Sequence, residues 1–297
     1  MCRWLAYSGT PIKLEELLVK RDRSLIDQSL HARQGATTTN GDGFGVGWYE
    51  DGEGPRVYRS THPAWNDRNL RELAAGISSP LFFAHIRAST GTAIQETNTH
   101  PFRYGRWLWM HNGLVRDFQL VKRQLQQAVD DAFFDSIEGT TDSEWIYALV
   151  LSQLADPFGV PEPDELAGAA VSTLRLLREV RGRHGIDTSS PVNLCLTTGH
   201  ALIATRFSFD YGWYPDEDEL LETDLPYVSL WYTVGGEYVE RDGESAMTAS
   251  DTPRSLLVAS EPLTVDTSTW LEVPEYSMIT AVRTAAGLDF ETLDLDV

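Results

Sequence analysis

The hydrophobic positions change their spacing three times along the chain. Cys2 to Tyr7 is a short apolar run that reads as a first strand, stopped by Gly9 and Pro11. Leu14, Leu17 and Leu18 mark a short helix, and Leu25 to Ala32 another. Val46, Trp48 and Tyr49 predict a strand, with Val57-Tyr58 as its hairpin partner. Leu70, Leu73 and Ala74 give the buried face of a helix over 66–76, with Asn66 as its cap. Leu81 to Arg87 predicts a strand, followed by a polar loop through Pro101. Trp107 to Met110 predicts the next strand, ended by His111-Asn112-Gly113.

The period then becomes helical. Val115, Phe118, Val121, Leu125 and Ala128 space a long amphipathic helix. Asp142 to Leu154 is apolar all round, which predicts a helix sandwiched between other elements. After the proline-rich loop Asp156 to Pro163, a third long helix runs from Leu166 through Leu174 to Val180. From Val192 strands return, at 192–197, 201–207, 228–234, 256–260 and 278–282. An acidic loop, Asp216 to Asp224, and a polar segment, Gly235 to Arg254, interrupt them.

Strands, then helices, then strands imply an α+β fold, with strands from both ends of the chain in two packed sheets and helices outside. The best candidate boundary, 156–163, is weak, so one domain spanning 1–297 is expected.

Charge removes some functions from consideration. Lys plus Arg number 24 and Asp plus Glu 44, a formal charge of −20. That field repels nucleic acid and anionic membranes. The two cysteines, Cys2 and Cys195, are too few for a disulfide framework and suit a reducing cytosol. Cys195 is expected to be a buried strand residue. No signal peptide and no apolar run of membrane-spanning length is expected, so the location expected is cytoplasmic.

Four glycines in the seven residues Gly41 to Gly47 invite a phosphate-loop reading, but the spacing fits neither the dinucleotide pattern nor the P-loop. These glycines instead let the backbone pass close to another part of the chain, such as the N-terminus. His85, His100 and His111 raise a metal hydrolase, but no zinc-ligand spacing accompanies them. Neither a metal nor an organic cofactor is expected.

The chemistry starts at Cys2. Removing Met1 would place a thiol and a free α-amine on one residue, a nucleophile with its own base, and their ordinary pKa values of about 8.5 and about 7.7–8.0 lie close to neutrality. A γ-glutamyl amide would further require one cation, one anion and two oxyanion donors. Arg87, at the end of a strand, can pair with a carboxylate, or be a surface ion-pair residue. Asn112-Gly113 can offer a side-chain amide and a backbone N–H to one oxygen, or form a turn. Asp142 can hold an ammonium, or cap a helix. His100 lines a site or is structural.

In order behind Cys2 stand His85-Ile86-Arg87-Ala88-Ser89-Thr90-Gly91, Asn98-Thr99-His100-Pro101, His111-Asn112-Gly113 and Thr141-Asp142-Ser143-Glu144. As a set they resemble the class II glutamine amidotransferases, a branch of the N-terminal nucleophile hydrolases. The opening Met1-Cys2-Arg3-Trp4-Leu5 and the run Asn40 to Tyr49 are similar to the stand-alone branch, which includes the ergothioneine-pathway γ-glutamyl hydrolase. The resemblance implies a four-layer αββα sandwich of two antiparallel sheets. It implies Cys2 as nucleophile, Arg87 on the substrate carboxylate, Asn112 and Gly113 as oxyanion hole, and Asp142 on the ammonium. Thr90, Thr99 and His100 would line the glutamyl pocket.

The implied reaction is hydrolysis of a γ-glutamyl amide, glutamine or a γ-glutamyl conjugate, through a Cys2 thioester. Larger members carry a synthase domain, and because the family domain is expected to take up nearly all 297 residues, no acceptor domain is expected here. The alternatives are a glutaminase subunit feeding a separate synthase partner and a non-catalytic relative that keeps Met1. The arginine motif also lacks the extra residue and second His of the sugar-amidating members. Trp65, Trp213 and Tyr214 are further candidates for the pocket lining. Ala259-Ser260-Glu261-Pro262 matches the family without a role that the sequence supplies.

Overall fold

In the computed structural model, which describes residues 2–34, 39–50, 54–89, 91–210, 228–241 and 244–297, the strands lie in two large antiparallel sheets, with helices outside both, and in one separate two-stranded hairpin. The acidic loop 216–224, Trp213, Tyr214 and Thr90 lie outside the described residues. The N-terminal part contains β1 (Arg3–Lys13), α1 (Glu15–Leu18), α2 (Leu25–His31), β2 (Phe44–Trp48), β3 (Arg56–Ser60), α3 (Arg68–Gly76) and β4 (Ser78–Ile86). Next come β5 (Phe102–Tyr104), β6 (Trp107–Gly113), α4 (Phe118–Ala128), α5 (Asp131–Phe134), α6 (Asp142–Ser152) and α7 (Pro163–Arg183). The C-terminal part adds β7 (Ser190–Thr197), β8 (Ala201–Arg206), β9 (Ser208–Phe209), β10 (Trp231–Gly235), β11 (Tyr238–Arg241) and β12 (Glu244–Met247). It ends with β13 (Ser255–Ala259), β14 (Leu271–Glu272), β15 (Ser277–Arg283) and β16 (Leu288–Asp294).

The first sheet has the order β14-β10-β13-β1-β4-β2-β3 and the second β16-β15-β8-β7-β6-β5, with β9 pairing to β7. Alternation along each strand sorts the side chains into three cores. In β1, Trp4 and Ala6 face the second sheet while Leu5 and Tyr7 face α1, α2 and α3. In β6, Leu108 and Met110 face the first sheet while Trp107 and Trp109 face the helices on the other side. Both faces of both sheets are therefore covered. That is why these strands read as continuous apolar runs rather than as alternation. Helix α6 is buried from Ser143 to Leu151 because it packs against β6 with α4, α5 and α7 around it.

Three local expectations are corrected. Strand β1 continues through Gly9 and Pro11 to Lys13. Its pairing with β4 shifts register between Ser8 and Ile12, so the N–H that Pro11 lacks falls where the ladder is already interrupted. Asn66 lies in a 3-10 turn, and the cap of α3 is Asp67, whose carboxylate accepts from the Leu70 N–H at 2.8 Å. The segment 235–254 carries the β11–β12 hairpin.

The glycine run lies against the 99–101 segment rather than the N-terminus. A Cβ on Gly45 would overlap the His100 carbonyl, and one on Gly47 would meet Pro101 and Leu108. Gly45→Ala is therefore expected to lose about 1–3 kcal/mol of stability by forcing β2 away from that carbonyl. Urea denaturation measures this, and an unchanged midpoint would mean that the approach is not required.

Candidate active site

Cys2 stands immediately before β1, where the chain emerges between β4 and the end of β13. Its thiol is held by the turn after β4. The Ala88 N–H donates to Sγ at 3.3 Å, and Sγ lies 3.5 Å from the Ala88 carbonyl. That turn is tied to the loop before β2, because the Asp42 N–H donates to the Arg87 carbonyl, the Arg87 N–H to the Gly43 carbonyl, and the Ser89 N–H to Asp42 Oδ2 at 2.7 Å. Burial pushes the thiol pKa up, opposed by the backbone bond at Ala88 and by the positive charges of Arg87 and Arg3.

A cavity of about 210 Å³ opens from Cys2 and is lined by Arg87, His100, His111, Gly113 and Asp142, among others. Arg87 is 3% exposed. Its Nη2 donates to Thr92 Oγ1 at 2.7 Å, while Nη1 is buried without a hydrogen-bond partner among the described residues. A buried guanidinium nitrogen left unsatisfied at a cavity wall is suited to an incoming carboxylate.

Asp142 is the first residue of α6. The N-cap is Thr141, so capping does not account for this carboxylate. Its Oδ2 accepts from the Val115 N–H at 2.7 Å and its Oδ1 from the Ser143 N–H at 2.9 Å. The Ser143 hydroxyl also approaches Oδ1, at 3.5 Å, while Oδ2 keeps a lone pair for a further donor.

Asn112 and Gly113 belong to β6, paired with Asn193 and Val192 of β7, so they form no hairpin turn. Asn112 is buried, and its Nδ2 donates to the Cys2 carbonyl at 2.8 Å. An amide nitrogen has two hydrogens, so this bond fixes the side chain beside the nucleophile and leaves one donor. Gly113 has φ +138°, and a Cβ there would overlap the Pro191 carbonyl.

The three histidines are buried, and burial lowers all their pKa values. His85 falls to about 3. The His100 ring centroid lies 4.3 Å from that of His85 and 4.5 Å from that of Phe102, both tilted, so the residue lines the cavity and packs in the core. His111 Nδ1 meets Ser143 Oγ at 2.9 Å. Neutral rings at neutral pH leave no imidazolium to act as acid.

Thr99 is brought near but not into the cavity wall. It is fully buried, and its hydroxyl donates to the Gln95 carbonyl at 3.1 Å. Trp65 is half-buried, stands against Gly41, and lies outside the cavity wall as well. Sequence reasoning missed Thr92, which orients Arg87, and quoted Asn98, which joins the two loops flanking the cavity, without giving it a role. Asn98 Nδ2 donates to the Ala93 carbonyl at 2.9 Å, and its Oδ1 accepts from the Thr140 N–H at 2.8 Å. Glu144 was quoted only as part of a motif. Its Oε1 accepts from the Glu138 and Gly139 N–H groups, both at 3.1 Å, behind the same loop.

The family model of class II glutamine amidotransferases matches residues 19–288. A Saccharomyces cerevisiae protein named as a probable glutamine amidotransferase, DUG3, is 34% identical over 94% of this chain and 81% of its own length. A γ-glutamyl-hercynylcysteine sulfoxide hydrolase of Mycobacterium tuberculosis is 37% identical over 77% of this chain and 96% of its own. Among solved structures, a glutamine aminotransferase class-II domain protein from Silicibacter pomeroyi superimposes with a TM-score of 0.64 at 28% identity, covering 100% of both chains.

Burial pushes the Glu144 carboxyl from 4.5 up to about 7, against the pull of the Gly139 and Glu138 N–H groups. A folded-state pKa above the unfolded one means that the folded chain holds the extra proton between those values. The contribution of this group to stability is then fully present below about pH 4.5 and is lost as pH rises to about 7. Wild type should lose about 3 kcal/mol relative to Glu144→Gln across that interval. Urea unfolding at about pH 5 and about pH 8 measures it, and parallel curves for the two proteins would contradict it.

Proposed function

Since the chain belongs to the class II glutamine amidotransferases, we propose that it hydrolyses a γ-glutamyl amide, glutamine or a γ-glutamyl conjugate, through a thioester on Cys2. The observation that carries this reading is one cavity holding the Cys2 thiol, an unsatisfied Arg87 nitrogen and the Asp142 carboxylate, with Asn112 fixed on the Cys2 carbonyl. A zwitterionic glutamyl group needs that pairing of charges. The relatives' names agree on the glutamyl side and differ on the amine. Residues 2–297 are taken as one catalytic unit.

The Mechanism starts once Met1 is removed. The Cys2 α-amine accepts the thiol proton, and the thiolate attacks the γ-carbonyl carbon. Arg87 holds the substrate α-carboxylate and Asp142 the α-ammonium. The oxyanion takes hydrogen bonds from Asn112 Nδ2 and the Gly113 N–H, and one such donor contributes about 2.7–4 kcal/mol in comparable sites. Collapse breaks the C–N bond, and the departing amine takes the proton from the Cys2 ammonium. A water gives its proton back to the Cys2 amine as it attacks the thioester. Glutamate leaves, and the thiol is restored. Burial lowers the pKa of His100 and His111 in the wall, and neither is assigned a proton transfer. No step requires a metal or an organic cofactor.

The test follows free glutamate from glutamine, γ-glutamyl dipeptides and γ-glutamyl-cysteine conjugates, using chain whose loss of Met1 is verified by mass. Wild type should turn over at least one of them, and Cys2→Ala should lose about 10³-fold or more in kcat. Asn112→Ala should lose about 10²–10³-fold in kcat with little change in KM. An equally active Cys2→Ala would overturn the reading. A processed wild type silent on every compound would transfer the proposal to a subunit that needs a separate synthase partner.

A further inference from the structure

Opposite Ala88, the main-chain carbonyl of Cys2 carries a second donor besides Asn112. Arg3 Nη1 donates to it at 3.0 Å. The Arg3 side chain is almost fully buried, and its Nη2 pairs with Glu261 Oε1 at 2.9 Å and also donates to the Gln34 carbonyl. Glu261 is buried too. Its two oxygens accept from the Arg33 N–H at 3.0 and 3.1 Å, and Oε1 accepts from the Gln34 N–H at 2.8 Å. Ser260 extends the pairing of β13 with β1, because its N–H donates to the Trp4 carbonyl at 3.0 Å and its Oγ accepts from the Trp4 N–H at 3.1 Å. Thus Ser260 and Glu261 together grip the two residues that follow the nucleophile.

Buried ion pairs are weak evidence for stability, since desolvation offsets most of the attraction. This pair does something more specific: it terminates on the one carbonyl that also holds the oxyanion donor Asn112. We infer that Arg3, oriented by Glu261, is a positioning residue that fixes the Cys2 carbonyl, and with it the thiol, the α-amine and the Asn112 amide, in one reactive arrangement. With both donors on that carbonyl, the Asn112 amide stays beside the nucleophile and keeps its second hydrogen for the oxyanion. The inference rests on the reaction proposed above and adds to it two residues that touch no substrate.

The charged and titratable groups facing Cys2 are Arg3 on its own strand, Arg87 after β4, His111 on β6, Asp142 on α6, and His100. Asp42 acts on it through Arg87, and Glu261 through Arg3. The histidines are neutral, so Arg3 and Arg87 are the side-chain cations that favour thiolate.

Arg3→Lys, Arg3→Met and Glu261→Gln test this in the full, Met1-processed chain, with thermal unfolding confirming that each variant folds. Two readouts are taken. In steady state, Arg3→Lys and Glu261→Gln should lower kcat about 10- to 100-fold with KM within about twofold, as expected for a misplaced nucleophile with an intact glutamyl pocket. In iodoacetamide labelling of Cys2 across pH, which needs no substrate, Arg3→Met should move the midpoint upward. Glu261→Gln, which keeps the guanidinium, should not. A purely structural pair would leave the labelling midpoints alike. Unchanged kcat in both conservative variants, with Cys2→Ala silent, overturns this inference and leaves the proposed function standing. If Cys2→Ala is active, the proposed function fails first. If no substrate is turned over, equal labelling midpoints in Arg3→Met and wild type overturn the inference by themselves.

Discussion

Everything at the site depends on β1 being buried on both faces between β4 and β13. Trp4 and Ala6 are committed to the space between the sheets, Leu5 and Tyr7 to the helices outside. A slip by one residue would exchange these sets, so the register of β1 is strongly specified. Cys2 is the next residue along. Its position is therefore fixed by the packing of four apolar side chains, by the Ala88 turn and by the donors on its carbonyl, rather than by a loop of its own.

Around that fixed point, the site separates charge from bulk. His100 and His111 line the cavity, and His85 and Phe102 pack against the His100 ring. Arg87 and Asp142 bring the opposite charges to the cavity from different sheets' margins, one after β4, the other at the start of α6. Asn98 and Glu144 hold the intervening loops by backbone bonds, so the spacing of those charges depends on a buried amide and a buried carboxyl.

Much of this was legible in the sequence. Cys2 announces itself by position, and Arg87, Asn112-Gly113 and Asp142 by their order behind it. The layered α+β sandwich follows from strands at both ends and helices between. What stayed hidden has a physical reason in each case. Asn112 reads as a turn because Asn-Gly favours one in isolation, whereas pairing with β7 keeps it in a strand. Pro11 reads as a stop because a register shift cannot be seen locally. Thr99 shares a motif with His100, yet the turn it stabilises points its hydroxyl at Gln95. Thr92 and Asn98 act through loop geometry, which has no period. Glu261 meets Arg3 only after the chain has returned from its far end, and nothing near either residue marks the other.

The central claim is that a γ-glutamyl group passes through the Cys2 sulfur. Acid quench during turnover of a γ-glutamyl substrate, followed by intact and peptide mass spectrometry, tests it most directly. The account predicts an N-terminal peptide beginning at Cys2 and heavier by one γ-glutamyl group, lost on treatment with hydroxylamine. Turnover with the adduct on another residue, or with Met1 still attached to the active chain, would contradict it.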